Sequence, residues 1–178
     1  ISSPWAYNKQ VFSVGQPWQF LMLKIVEQRA IALPRDVVWN ALIDPEVVKE
    51  CIRGCRAVDI ISGTAFSLLI DGHVGPIAAR FVGNIELMDL DPPRSYTMIG
   101  AGKANMIGYT WGVARVRLDY GLGGNKSHTR LNCVIEIAQD SKLLKPGSGI
   151  MRVTANRLSE SYFSRFARLV ENREPLAS

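Results

Sequence analysis

Histidine and cysteine are scarce in this chain, and their scarcity removes whole classes of chemistry. Only His73 and His128 can supply an imidazole, and only Cys51, Cys55 and Cys133 a thiolate. A structural zinc site takes four such ligands. Here Cys51 and Cys55 form one CxxxC pair, and the other three candidates are scattered over predicted strands, so no metal site is expected. An odd number of cysteines without a disulfide spacing points to a reducing, intracellular setting. His73 shares a strand face with Asp71, opposite Phe66, Leu68 and Ile70, and His128 lies in the polar stretch GGNKSHTR. Neither is placed to act as a general base, and no catalytic residue is assigned. Long apolar runs are absent too: no stretch approaches the ~18 residues of a membrane span. Residues 1–20 lack the basic start and apolar core of a signal peptide.

What is present suits one globular domain. The chain has 178 residues, 47% of them hydrophobic and 21% charged, enough apolar material for a core. The net charge of +5 fits an acidic protein partner or an anionic membrane surface. The arginines are not interleaved with aromatics in a nucleic-acid module, so no nucleic acid partner is expected.

Along the chain, residues 1–21 form an N-terminal extension, a leader or an arm, with two of the four tryptophans and no lasting periodicity. A single domain is expected over 22–178. It begins with the strand LKIVEQRAIAL. Pro34 then opens a helix, PRDVVWNALIDP, since proline is favoured at the first helical position. Asp44-Pro45 ends it and starts a shorter helix, PEVVKECI. Six strands follow, over about 56–62, 65–74, 76–90, 94–102, 106–120 and 128–138, separated by turn residues. The most informative is GPIAARFVGNIELMDLDPPRSY, from Gly75 to Tyr96. There Ile77, Ala79, Phe81, Gly83, Ile85 and Leu87 alternate with a mixed face. A long helix over roughly 141–172 closes the chain. Pro146, Gly147 and Gly149 predict a kink or a late start for it.

Short loops between consecutive strands make an antiparallel meander. A sheet of about seven strands can bury its apolar face only against the last helix. The expected class is therefore α+β, a curved sheet gripping a long C-terminal helix, with two short helices after the first strand. Such a sheet has too few small side chains to fill its concave side, so a cavity is expected between sheet and helix. Its walls are expected to be Trp39, Phe66, Leu68, Ile70, Ala79, Phe81, Ile85, Tyr96, Met98 and Trp111 from the first helix and the sheet. The last helix is expected to add Met151, Thr154, Leu158 and Tyr162. An apolar cavity of this kind calls for a hydrophobic small molecule. On the last helix Arg152, Arg157, Arg165 and Arg168 suggest a docking surface for anionic headgroups or an acidic protein.

Several pieces carry a family resemblance: Pro34 to Pro45, then CIRGC from Cys51 to Cys55, then Gly75 to Tyr96. GAGK from Gly100, GVARVRL from Gly112 and YFSRFARL from Tyr162 complete it. In this order the chain resembles the G-subunit family of carbon monoxide dehydrogenase, within the START-like (SRPBCC) superfamily, over about residues 22–172. Arg53 departs from it, standing where the family's motif has proline. The resemblance implies a START-like helix-grip fold and a non-catalytic accessory of molybdenum-containing dehydrogenases of the xanthine oxidase type. It further implies a quinone or lipid in the cavity, with no other cofactor required. The location implied is cytoplasmic, peripheral at the inner membrane face, where such proteins recruit the enzyme. Family members often carry a C-terminal membrane tether, and none is read before Ser178. Two other readings stand beside it. One is a START-like catalyst of polyketide cyclase type, for which Tyr96, Tyr109 and Thr154 are the polar candidates. The other is an assembly factor that needs no ligand.

Overall fold

The computed structural model of the chain describes residues 23–105, 108–140 and 149–173. The extension over 1–21 lies outside the described residues, as do Leu144 and the glycine-proline start of the last predicted helix.

Strand β1 (Leu23–Ile31) alternates, burying Leu23, Ile25, Glu27 and Ile31 and exposing the residues between the first three. Helix α1 (Arg35–Leu42) buries Val38, Trp39 and Leu42. Pro34 stands one position earlier than expected, at the cap, where its carbonyl accepts the Val38 N–H at 3.1 Å. Asp44 caps helix α2 (Pro45–Cys51): its carboxylate accepts the Glu46 N–H at 2.9 Å, and Pro45 occupies the first turn.

The six expected strands all form: β2 (Cys55–Ser62), β3 (Ala65–Val74), β4 (Ile77–Asp91), β5 (Ser95–Ala104), β6 (Gly108–Tyr120) and β7 (Thr129–Asp140). The sheet order is β1-β7-β6-β5-β4-β3-β2, every pair antiparallel. The meander thus brings β7 back beside β1. Side-chain alternation on β4 runs as read from the sequence, with Gly83 and Leu87 the most buried of the inward set. Gly83 pairs with Gly102 on β5, and the Phe81 ring lies over both. A Cβ at Gly102 would sit 2.6 Å from the Val82 carbonyl oxygen, so only glycine lets strand and ring approach this closely.

Helix α3 (Ile150–Arg173) starts immediately after Gly149, which has φ +71°. The residues that would tell a kink from a late start, 141–148, lie outside the described ones. The helix lies in the sheet's concave face against β1 and α2. It divides the interior in two. Phe163, Phe166 and Val170 join α1, α2 and the middle strands in the main core. Ala155 and Met151 pack on Leu23 and Ile25 in a smaller one.

On the edge hairpin, Asp71 receives Arg56 Nε at 3.0 Å and Arg80 Nε at 2.7 Å. These hydrogen bonds, Arg80 first, hold the Asp71 carboxyl down at about 2, against an ordinary 3.8. A carboxylate with a lowered folded-state pKa stabilises the fold above its unfolded pKa and loses that contribution as pH falls through the folded value. The Asp71→Asn variant should therefore lose less of its denaturation midpoint than the parent between about pH 4 and pH 2. Parallel acid limbs for the two proteins would remove Asp71 from the acid response.

Candidate functional site

Between the two cores lies a cavity of about 330 Å³. Its floor is the concave sheet, with Phe66, Ile85, Met98, Ala114, Val116, Cys133 and Ile135 from successive strands. Leu42, Val48, Cys51 and Ile52 close one side from α1, α2 and the turn after it, and Ala155, Leu158, Ser159, Tyr162 and Phe163 close the other from α3. The mouth opens between α2 and α3, where Arg53 and Leu158 are exposed. The lining is almost wholly apolar, as expected of a site for a hydrophobic molecule. A second hollow of about 200 Å³ continues the concave face toward the far end of β4, β5 and β6, floored by Leu68, Phe81, Ile85, Met98 and Gly100.

The structure brings together Phe66, Ile70, Ile85, Tyr96, Met98, Leu158 and Tyr162 in the main cavity, and Leu68 and Phe81 in its extension. Five expected wall residues fall elsewhere. Trp39 is in the core behind the wall, its ring edge-on to Tyr96 with centroids 5.5 Å apart. Ala79 shares the face of Phe81 but pairs with Gly72, too near the hairpin end to reach the cavity. Trp111 is on the opposite sheet face from Ala114 and Val116. Its parity is that of the exposed Arg115 and Arg117, a signal the sequence already carried. Met151 fills the smaller core against Leu23 and Ile25, and Thr154, one residue from Ala155, is turned off the lining. Sequence reasoning missed the contribution of α2 through Val48, Cys51 and Ile52. Their apolar spacing marks a buried helix face but not what that face meets.

The four arginines do not make one stripe. At 100° per residue, Arg152 stands about 140° around the axis from Arg157, while Arg157 and Arg168 share a face. Arg165 is half-buried on the α2 side, close enough to Cys51 to act on its thiol. Arg173 pairs with Glu50 and ties the end of α3 to α2.

Polar groups on the walls are few, and apart from Arg53 at the mouth they are buried or half-buried. The Ser159 hydroxyl donates to Glu27 at 2.9 Å, and Arg29 meets the same carboxylate at 3.0 Å. Burial raises the Cys51 thiol to about 11 and the Cys133 thiol to about 12, with nearby Glu50 and Glu27 adding to the rise. Burial also pushes the Tyr96 and Tyr162 phenols well up, so both remain protonated donors. Because the thiolate is the reacting form, Cys51 and Cys133 should alkylate at pH 8 roughly 100-fold more slowly than an exposed cysteine. Mass-resolved iodoacetamide labelling checks this, and rapid native labelling at either position would contradict the burial.

The profile of one protein family, the carbon monoxide dehydrogenase G subunit (CoxG), matches residues 28–171. The chain belongs to the CoxG family. No curated protein matches the sequence. Among solved structures, a conserved protein from Geobacillus kaustophilus superposes with TM-score 0.75 at 17% identity, over 84% of this chain and 96% of that one. The Zhui aromatase/cyclase from Streptomyces sp. R1128 follows at 0.66 and 17%, over 88% and 98%. A START superfamily protein from Mycobacterium smegmatis gives 0.53 and 13%, over 84% and 95%. These likenesses establish a START-like fold for this CoxG-family chain, and one such fold hosts a cyclase. Among the described residues no helix is long and apolar enough to cross a membrane.

Proposed function

We propose that this CoxG-family protein is a non-catalytic carrier. It holds an isoprenoid quinone or a similar lipid between sheet and α3 and serves a molybdenum-containing dehydrogenase at a membrane surface. The observation that carries this reading is the apolar cavity opening between α2 and α3. At about 330 Å³ it suits a ring and the start of a chain, and a longer isoprenoid tail would leave through the mouth past Leu158. The family name supplies the dehydrogenase. The membrane side of the reading draws on α3, where Val153 and Leu158 are exposed near Arg157.

Organic extraction of freshly purified protein, followed by mass spectrometry, tests the ligand. A quinone or isoprenoid lipid in near-stoichiometric amount is expected. An empty protein that also fails to bind added quinone would favour the ligand-free assembly factor. Turnover of a polyketide substrate would favour the cyclase reading, with the cavity-lining phenols Tyr96 and Tyr162 as its acid groups. Tyr109 and Thr154 drop out of that reading, because Tyr109 is exposed and Thr154 is off the lining.

The membrane part is tested on anionic vesicles at low salt. A basic residue near such a surface contributes about 1 kcal/mol, roughly fivefold in partitioning. Reversing Arg157 and Arg168 together should therefore lower binding by more than tenfold at low salt, with the difference shrinking as salt rises. Unchanged sedimentation at low salt would remove this face from membrane docking.

A further inference from the structure

The cavity wall carries an unexplained feature away from its exposed rim at Leu158. Tyr96 is 6% exposed and, with Tyr162, lines the cavity. Neither phenol has a hydrogen-bond partner among the described residues. The Cys51 and Cys133 thiols share the lining with the two phenols, and Arg53, Ser159 and Ser161 are the other polar residues on it. The rings cannot easily swing away. Tyr96 is held edge-on by Trp39, and Tyr162 stacks on Phe166 at 6.3 Å and meets Phe163 edge-on at 5.1 Å. Among the described residues the sealed side-chain polar atom left without a partner is Arg35 Nε, so the two phenol oxygens are not sealed among protein atoms but lie on the cavity wall, free to bond a molecule held there. Both phenols remain protonated, so each keeps an O–H to offer to an acceptor.

The mouth offers the opposite chemistry. Leu158 and Ile52 are apolar, and the one charge there, on Arg53, is exposed to water. An exposed guanidinium already bonded to water adds little to binding a neutral group.

We propose that the ligand enters head first: a hydrogen-bond-accepting oxygen, such as a quinone or ketone carbonyl, lies between Tyr96 and Tyr162, and the hydrocarbon tail leads out past Leu158. This rests on the carrier reading above and narrows it to amphiphiles with a neutral carbonyl head. Fatty acids and phospholipids, whose charged heads would have to lie in the apolar end, are excluded.

The test compares decylubiquinone with decylbenzene, which has the same tail and no oxygen, by isothermal titration. The proteins are the parent and its Tyr96→Phe, Tyr162→Phe and Arg53→Gln variants. Each Tyr→Phe change keeps the ring and its packing, and melting curves confirm the fold. Decylubiquinone affinity should fall about tenfold in each Phe variant, while decylbenzene affinity stays the same or rises, and Arg53→Gln, which reports on the mouth, should cost decylubiquinone less than either Phe change. Infrared spectra of the bound quinone should show a downshifted carbonyl stretch in the parent that moves back in Tyr96→Phe. If the parent binds both probes and the Phe variants bind quinone equally well, or Arg53→Gln carries the loss, the head-first arrangement is wrong and the carrier reading stands. If the parent binds neither probe, the carrier reading fails and this inference with it.

Discussion

Replacing Ala114 with phenylalanine should abolish saturable quinone binding while leaving the protein folded. Ala114 is 2% exposed at the middle of β6, paired with Met98 on one side and Ile135 on the other, and it borders both the main cavity and its extension. A phenyl ring there points into empty space, not into packed atoms. The folding cost of an added ring in a well-packed core is ~1–3 kcal/mol. Here the cavity relieves part of that cost, and newly buried apolar area offsets more of it. The ligand, however, loses its floor. Affinity for a short-chain quinone, read from quenching of Trp39 one ring away behind Tyr96, should drop roughly 100-fold or more, equivalent to about 2.7 kcal/mol. Two controls sharpen the test. Ala78→Phe projects from the outer face, and Ala79→Phe lies on the inner face but outside the lining, so both should bind as the parent does. Undiminished binding by a folded Ala114→Phe protein would place the ligand elsewhere.

Gly54→Ala should be the most damaging methyl that can be added to this fold. Gly54 joins α2 to β2 with φ +80°, a conformation L side chains rarely adopt. A Cβ there would overlap the backbone carbonyl of Asp71 on β3, and the Gly54 carbonyl accepts the Asp71 N–H at 2.9 Å. No side chain can move aside, because the obstacle is backbone in a paired strand. Left-handed strain and the displaced β3 together should cost about 3 kcal/mol or more, a fall of roughly 6–12 °C in Tm for a chain this size. The turn also carries Ile52 and Arg53 at the cavity mouth, so surviving folded protein should release ligand faster. Gly63→Ala, in the β2–β3 hairpin with nothing within 4 Å of its Cβ, is the matched control and should shift Tm little. A Gly54→Ala protein that melts with the parent would mean the α2–β2 junction is free to move.

Much of the architecture is legible in the residues because its rules are local. Strand ends fall where Ser62-Gly63, Asp91-Pro92 and Gly121 to Lys126 break the pairing. Alternation assigns the faces of β4 within its 15 residues. Gly149, with φ +71°, stands just before the first described residue of α3. Even the misplacement of Trp111 is a parity error that Arg115 and Arg117 could have corrected.

The site was less legible, because a cavity is a property of two surfaces and the gap between them. Alternation says that Ile85 and Met98 face inward. It does not say that α3 stands far enough off to leave about 330 Å³ above them. The helical phase of α3 is visible as a stripe of Ala155, Ser159, Phe163, Phe166 and Val170, yet which flank meets the cavity depends on how the helix crosses β1 and α2. That crossing sends Met151 into the smaller core, keeps Thr154 off the wall and puts Leu158 at the mouth. Short-range order of turns, alternation and caps is written in neighbouring residues, and so the sequence alone determined the six-strand meander and the closing helix, while the pairing of β1 with β7 is a long-range contact that the tertiary structure decided. Only the tertiary structure decided which side chains share the enclosed space, because Val48, Tyr96, Ala114, Cys133 and Tyr162 are brought together by packing across distances no local rule spans.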